Sequence, residues 1–421
     1  MAETAQPAPF TRDPMASVAL MLQLNRNSLP MEDIVMETIA FETFGREARS
    51  LQSDIYVSIE LSRLNWLVGA LGNKIHVHSV ASGETGVLLA LIERYRAKVV
   101  TSKDAEVRVF SCFEAGYDGF WLHRFLVANG IESHVLDGAS LPVDRRAKHI
   151  KTDRIDARRL VNALFRYVQG DSESCRVVRP PTPEEEDAKR LHRERKRLVQ
   201  ERTAHLSRIK ALLMAQGIRA LRITDATWPK RLDHMRTGDG RPLPERLKLE
   251  IIREWHRLKG VAEQIAEVEK ERNEQIKLAP ANEAEVASKI GLLVRLRGIG
   301  PEFATILMRE VFYRRFENQR QVASYMGLTP APFSSGDSQT DQGLDKSGNA
   351  RARCAAVQMA WMWLRHQPQS ELSLWYMRRV GDMQGRIRRI MIIGLARKLV
   401  IALWRFVHSG VVPTGAVIQA R

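Results

Sequence analysis

The sequence predicts an α/β domain built on a mixed sheet, then two long charged helices, then a third, mostly α-helical region. Three observations support this. Strand-like and helical segments follow one another from Asp54 to about Gly170. Apolar residues then recur at helical spacing through a highly charged stretch. Beyond Lys289 the pattern is again helical, interrupted by glycine-rich loops.

Residues 1–53 are polar and methionine-rich, without clear periodicity, and read as an N-terminal extension. Ile55 to Ile59 is rich in β-forming residues, and Trp66 to Leu71 suits its hairpin partner. Ile75 to Val80 alternates with period two, as a half-buried strand does. A helix over Gly86 to Arg96, a strand over Val107 to Ser111, a helix from Tyr117 to Ala128 stopped by Asn129-Gly130, and a short strand over Ser133 to Leu136 complete a domain spanning 54–170. Arg179 to Pro183 is a proline-rich linker. In 184–288, Leu191, Leu198, Leu206, Ile209 and Leu213, then Ile251, Trp255, Leu258, Ile265 and Val268, form narrow seams on charged helices. They suit a coiled-coil region, antiparallel or intermolecular, or equally a helical spacer packed on its own chain. Residues 289–380 form the third region, and 381–421 a basic helical tail.

Lys and Arg total 65 against 49 Asp and Glu, a net charge of +16, which favours a polyanionic partner because each neutralised phosphate releases counterions. A basic, well-solvated surface has the same composition. Cys112, Cys175 and Cys354 are too few and too scattered for a disulfide framework or a zinc site, and they fit a reducing cytosol. No basic segment leads into a clean apolar run at the N-terminus, so no signal peptide is expected. The apolar stretch from Ile390 to Val407 is broken by Arg397, Lys398 and Arg405, so it reads as an amphipathic helix in a soluble protein with no membrane partner.

Four acids sit where a metal-dependent nuclease needs them. Glu60 closes the first strand, Glu114 follows the strand Val107 to Ser111, and Asp153 and Asp156 are three apart within Lys151-Thr152-Asp153-Arg154-Ile155-Asp156-Ala157. On a helix, positions three apart share a face. Carboxylates from two strand ends and one helix can converge on Mg²⁺, a hard cation that keeps waters for its substrate, and two such ions serve both oxygens of a phosphoryl transfer. An Asp-x-x-Asp pair also occurs on ordinary solvated helices.

In the second half, Arg297-Gly298-Ile299-Gly300-Pro301 is similar to the hairpin of a helix-hairpin-helix DNA-binding element, in which Gly298 and Gly300 let backbone N–H groups approach a phosphate. An ordinary helix-helix turn has the same composition. Downstream come Gly327-Leu328-Thr329-Pro330, Ser334-Ser335-Gly336 and Asp345-Lys346-Ser347-Gly348-Asn349-Ala350-Arg351-Ala352-Arg353. A hydroxyl in a glycine-flanked loop is a candidate nucleophile, and Lys346, Arg351 and Arg353 are candidate phosphate clamps. Ser-Gly is also a common turn.

Taken in order, these motifs resemble the DEDD transposases of the insertion sequence one-ten family, the bridge-RNA-guided recombinases. The resemblance covers about Asp54 to Arg379. It rests on Glu60, on Glu114-Ala115-Gly116, on Lys151-Thr152-Asp153-x-x-Asp156-Ala157-x-x-Leu160, on Gly298-Ile299-Gly300-Pro301, on Arg315-Phe316, on Gly327-Leu328-x-Pro330, on Ser335-Gly336 and on Lys346-x-Gly348-Asn349-x-x-x-Arg353. The first acid is Glu60 where the family has Asp, and Asp54, at the start of the strand, is the alternative. The resemblance implies an RNase H-like (RuvC-like) first domain, a coiled coil, and a second domain in which Ser335, or its neighbour Ser334, attacks DNA. It also implies Mg²⁺ on Glu60, Glu114, Asp153 and Asp156, a structured guide RNA, and DNA at the element ends and target. The protein would be a homo-oligomer, dimer or tetramer, in the bacterial cytoplasm at the nucleoid. The alternatives are a RuvC-like Holliday-junction endonuclease and an inactive, transposase-derived nucleic-acid-binding protein.

Overall fold

The computed structural model describes residues 54–72, 74–99, 107–116, 118–141, 153–219, 222–225, 227–335, 338–344, 348–381, 383 and 385–419. The N-terminal extension expected over 1–53 lies outside them. The chain divides between Pro180 and Pro181 into two units.

The first unit is a six-stranded mixed sheet. It comprises β1 (Ile55–Glu60), β2 (Asn65–Leu71), β3 (Ile75–Ala81), β4 (Val109–Glu114), β5 (Glu132–Leu136) and the two-residue β6 (Val177–Val178), in the order β3-β2-β1-β4-β5-β6. β1, β2 and β3 form an antiparallel meander, whereas β4 and β5 run parallel to β1. Parallel neighbours need crossovers, here supplied by α1 (Thr85–Val99) and α2 (Trp121–Ala128). The order and directions are consistent with the RNase H-like fold that the resemblance implies.

The alternation of β1 divides the core between two faces. Ile55, Val57 and Ile59 join Leu88, Ile92, Leu122 and Leu126 of α1 and α2. Tyr56, with Phe110 and Cys112 of β4, faces Leu160, Val161 and Leu164 of α3 (Asp153–Val168). The strand containing Glu114 runs further than its sequence suggests, so Glu114 is the last residue of β4 and does not follow the strand. The helix expected from Tyr117 starts at Trp121.

In the second unit, α4 (Pro183–Asp187) leads into α5 (Arg190–Met214), which packs antiparallel to α7 (Glu245–Lys277) within the same chain. Leu198 meets Val261 and Ile265, and Arg195 pairs with Glu269 at 2.5 Å. Nearer the tip, His205 and Arg208 reach the buried Glu254 at 2.7 and 2.8 Å. The tip itself is a small folded knob. Trp228 of α6 (Trp228–Leu232) is fully buried among Ile209, Leu213, Ile251 and Trp255.

The remaining elements are α8 (Ala284–Val294), α9 (Pro301–Ile306), a π-helical turn at Leu307–Val311, α10 (Gln319–Tyr325), the hairpin β7 (Pro330–Ser335) and β8 (Ser338–Leu344), α11 (Ala350–His366), α12 (Glu371–Val380) and α13 (Arg386–Ser409). The segment expected as a basic tail from 381 onward is instead a member of the core. Leu395, Leu399, Leu403 and Phe406 of α13 lie in one cluster with Met359 and Trp363 of α11, because apolar residues at helical spacing face one side of the helix.

Helix α3 lies close on the sheet because the contact is made of small residues. Ser58 Oγ donates to the Ala157 carbonyl at 2.6 Å, and Gly69, the register partner of Ser58, lies beneath the same turn. A Cβ at Gly69 would fall 2.7 Å from Ser58 Oγ and 3.3 Å from the Ala157 carbonyl oxygen. Gly69→Ala should therefore lower unfolding stability by about 1–3 kcal/mol, as overpacking does. Denaturant unfolding measures this, and an unchanged midpoint would contradict the contact.

Candidate active site

The direction of α3 brings the acids to one end of the sheet. Ala157 sits at Ser58, while Phe165, eight residues on, packs edge-on against Tyr56 with ring centroids 5.1 Å apart. The helix therefore runs against β1, and its N-terminus points toward the strand's C-terminal end. Asp153 lies four residues before Ala157, about 6 Å along a helix at 1.5 Å per residue. Glu60 lies two residues beyond Ser58, about 6.6 Å along a strand. The two acids reach the same level.

Extending the register of β1 with β4, in which Ser58 pairs with Cys112, sets Glu60 opposite Glu114. By alternation both belong to the face that α3 covers. Glu60, Glu114, Asp153 and Asp156 thus share one face and one end of the sheet. Asp54 belongs to the other end, where Arg108 binds its carboxylate at 2.7 and 3.2 Å, so it is no substitute for Glu60.

As placed, these side chains do not close into a coordination sphere. Among the described residues no three acids, histidines or cysteines gather closely enough to hold an ion. The Glu114 carboxyl lies against the backbone of Gly138, where a Cβ would come 1.7 Å from Oε1. Asp156 pairs with Arg159 at 3.4 Å. The donor set nonetheless suits a hard divalent cation: all carboxylate oxygens, two of them on flexible glutamates. The positive end of the α3 dipole lies at this end of the sheet, which also favours phosphate there.

Ser335 ends β7 and pairs with Ser338 of β8. Lys346 and the side chains of Ser334 and Ser335 lie outside the described residues. The base of this hairpin is tightly defined. Asn349 caps α11, accepting from the N–H groups of Arg351 and Ala352, and its own N–H donates to the Tyr325 carbonyl at 2.8 Å. A Cβ at Gly348 would fall 2.3 Å from the Gly327 nitrogen and 2.4 Å from the Tyr325 carbonyl oxygen. Only glycine allows the Lys-x-Gly-Asn element to cross the Gly-Leu-x-Pro element there. Arg351 is exposed on the first turn of α11, whereas Arg353 donates to the Met326 carbonyl at 3.3 Å.

Both feet of the hairpin meet at Glu310, a residue that sequence reasoning missed. Glu310 lies in the π-helical turn and is 2% exposed. Its backbone carbonyl accepts from the Tyr325 hydroxyl at 3.0 Å and from Asn349 at 3.4 Å. Its carboxylate bonds His192 Nε2 at 2.9 Å and Arg193 at 2.7 and 3.1 Å, both on α5. Burial pushes this carboxyl up, but the hydrogen bonds from His192 and Arg193 outweigh it and hold the group well below the usual carboxylate range. One glutamate among 49 acids, next to Arg309 in a helical run that also carries Glu302, gives no local signal.

Gly298 has a left-handed φ of +94°, and its missing side chain admits His366, whose Cβ would lie 3.0 Å from a Cβ at 298. The Arg297 N–H is bonded to the Val417 carbonyl at 3.2 Å. This turn is thus packed against the C-terminal segment, while nothing described crowds the α-carbon of Gly300.

The profile of the family described as Transposase IS116/IS110/IS902 matches residues 291–373, and the DEDD transposase profile of the same group matches 68–216. A transposase of Sinorhizobium fredii is 45% identical over 374 residues, covering 87% of this chain and 94% of that protein. The chain belongs to the IS110 family of transposases. The transposase for insertion sequence element IS1111A of Coxiella burnetii is 27% identical over 314 residues, 74% of this chain and 80% of that one. That of IS1328 from Yersinia enterocolitica is 28% identical over 269 residues, 63% and 74%. The transposase's Glu114, Asp153 and Asp156 fall inside the DEDD span and Glu60 precedes it, while Glu310 and Ser335 fall inside the other.

Because its folded pKa is depressed, Glu310 stabilises the transposase above its ordinary value of 4.5, and that stability is lost as pH falls toward the depressed value. Glu310→Ala should cost about 3 kcal/mol at neutral pH, the low end for breaking a buried pair, since Arg193 keeps a path to water. Glu310→Gln should flatten the acid limb of a melting-temperature profile. An acid limb unchanged by that substitution would exclude Glu310 as its source.

Proposed function

We propose that this transposase cleaves and rejoins DNA through Ser335, with divalent cations held by Glu60, Glu114, Asp153 and Asp156. The supporting observation is that the antiparallel course of α3 against β1 carries Asp153 to the level of Glu60 and Glu114. Such cations, Mg²⁺ by the hardness of the donors, supply charge neutralisation at the phosphate. Ser335 Oγ attacks the phosphorus, and a phosphoserine ester forms as the bond to the departing deoxyribose oxygen breaks. The serine proton passes to solvent and the departing oxygen takes up a proton. Arg351, exposed at the start of α11, is suited to hold the phosphate, with Lys346 beside the same loop in sequence. Gly298 and Gly300 are candidates for backbone contacts to DNA. The DNA partners are the element ends and the target, a structured guide RNA selects them, and two or four copies act together in the bacterial cytoplasm. Among the described residues no helix is long and apolar enough to cross a membrane.

Ser335→Ala should abolish strand cleavage and any covalent protein–DNA adduct while DNA binding persists. An adduct that survives in Ser335→Ala but not in Ser334→Ala would move the nucleophile one residue back. Asp153→Ala should remove Mg²⁺-dependent cleavage by a factor of about 10² or more, the scale of losing one preorganised electrostatic group. Cleavage that needs the acids but leaves no adduct would favour a junction endonuclease using water.

A further inference from the structure

Between the π-helical turn and Asn318, the chain reads Phe312-Tyr313-Arg314-Arg315-Phe316, aromatic rings interleaved with guanidinium groups. This stretch lines a groove of about 600 Å³, to which α8 contributes Lys289 and α13 contributes His408. The groove lies wholly within the second unit. Its lining carries four cations, Lys289, Arg309, Arg314 and Arg315, against the two acids Glu185 and Glu285. Lys289 is paired with Glu285, and Arg309 with Glu283 at 2.6 Å. Arg314 and Arg315 have no acidic partner among the described residues. Arg314 is held over the Tyr325 ring at 4.8 Å, and Arg315 is exposed. Among the described residues, Arg314 over its ring and the exposed Arg315 thus give the groove positive charge without an acidic partner, beside its aromatic side chains.

We infer that this groove takes an unpaired nucleic-acid strand, with phosphates at Arg314 and Arg315 and a base against the ring of Phe316, the Tyr313 ring being held under the Lys189 ammonium at 3.9 Å. The inference rests on nucleic acid being the transposase's substrate and names a site separate from the acids and the serine. A pocket of this size, within the usual range of roughly 300–1,000 Å³ for ligand sites, holds one or two nucleotides and is too small to enclose a duplex. Stacking on aromatic faces tolerates any base, because every base has a π-face, while arginine follows the backbone. An acidic peptide would use the arginines and leave the rings idle. Phe316 also packs on Tyr325, with centroids 5.7 Å apart, so an occupied groove is one ring removed from the residue that anchors one foot of the serine hairpin.

The test uses the full-length protein and fluorescent single strands of DNA and of RNA, each roughly 12 nucleotides long, a length typical of single-strand sites. Binding is read by anisotropy across a salt series, with duplex DNA in parallel. Arg314→Ala/Arg315→Ala should weaken strand binding about tenfold and lower the salt slope by about 1.4, two contacts at about 0.7 each. Phe316→Leu, which keeps apolar volume, should weaken strand binding with the slope unchanged. Arg378→Ala/Arg379→Ala, an exposed pair on α12, should leave strand binding as it was. The stronger of the DNA and RNA arms identifies the strand. An equal loss in the α12 control, or no loss in the groove variants, overturns the inference. Duplex binding by the unaltered protein is the separate check on the transposase reading, so failure of one is told apart from failure of the other.

Discussion

The acid end of the sheet depends on a contact between three small residues. Ser58, Gly69 and Ala157 let the backbone of α3 settle onto β1 and β2, and one buried hydrogen bond fixes its position along the strand. Such a bond contributes only about 1 kcal/mol, so its importance is positional. A shift of one residue along the helix would move Asp153 and Asp156 by about 100° around the axis and 1.5 Å along it, away from the ends of β1 and β4. Larger side chains here would lift the helix and separate carboxylates supplied by different elements.

The second unit solves a similar problem with charge. A buried carboxylate shared by a histidine and an arginine is a poor source of stability, because apolar residues in its place often do as well. Glu310 instead gives direction. Its side chain fixes α5, and its backbone carbonyl receives Tyr325 and Asn349, which precede and follow the β7–β8 hairpin. The π-helical turn that displays it breaks the ordinary helix ladder, as such turns frequently do at functional sites.

How much of this was legible in the sequence depends on range. The strands around Val57, Val68 and Val77 and the long helices with Leu198, Trp255 and Ile265 follow from periodicity, a local property. The motif around Asp153 was legible because two acids three apart share a helix face. The end of β4 was misjudged, since Phe113 reads as loop until its burial against α2 is known. Glu310 was missed because its partners lie 39 and 118 residues away. The tail from 381 looked separable because Arg397, Lys398 and Arg405 mask an apolar stripe that faces α11.

Gly348 and Asn349 press the return of the hairpin against Tyr325 and Gly327, so β7 and β8 leave and re-enter the helical body at nearly one point. A loop whose ends are already joined gains or loses residues cheaply, since each doubling of its length costs only about 0.6 kcal/mol. The hairpin that carries Ser335 can therefore lengthen or shorten at its tip while its root, and the helical body beneath it, stay as they are.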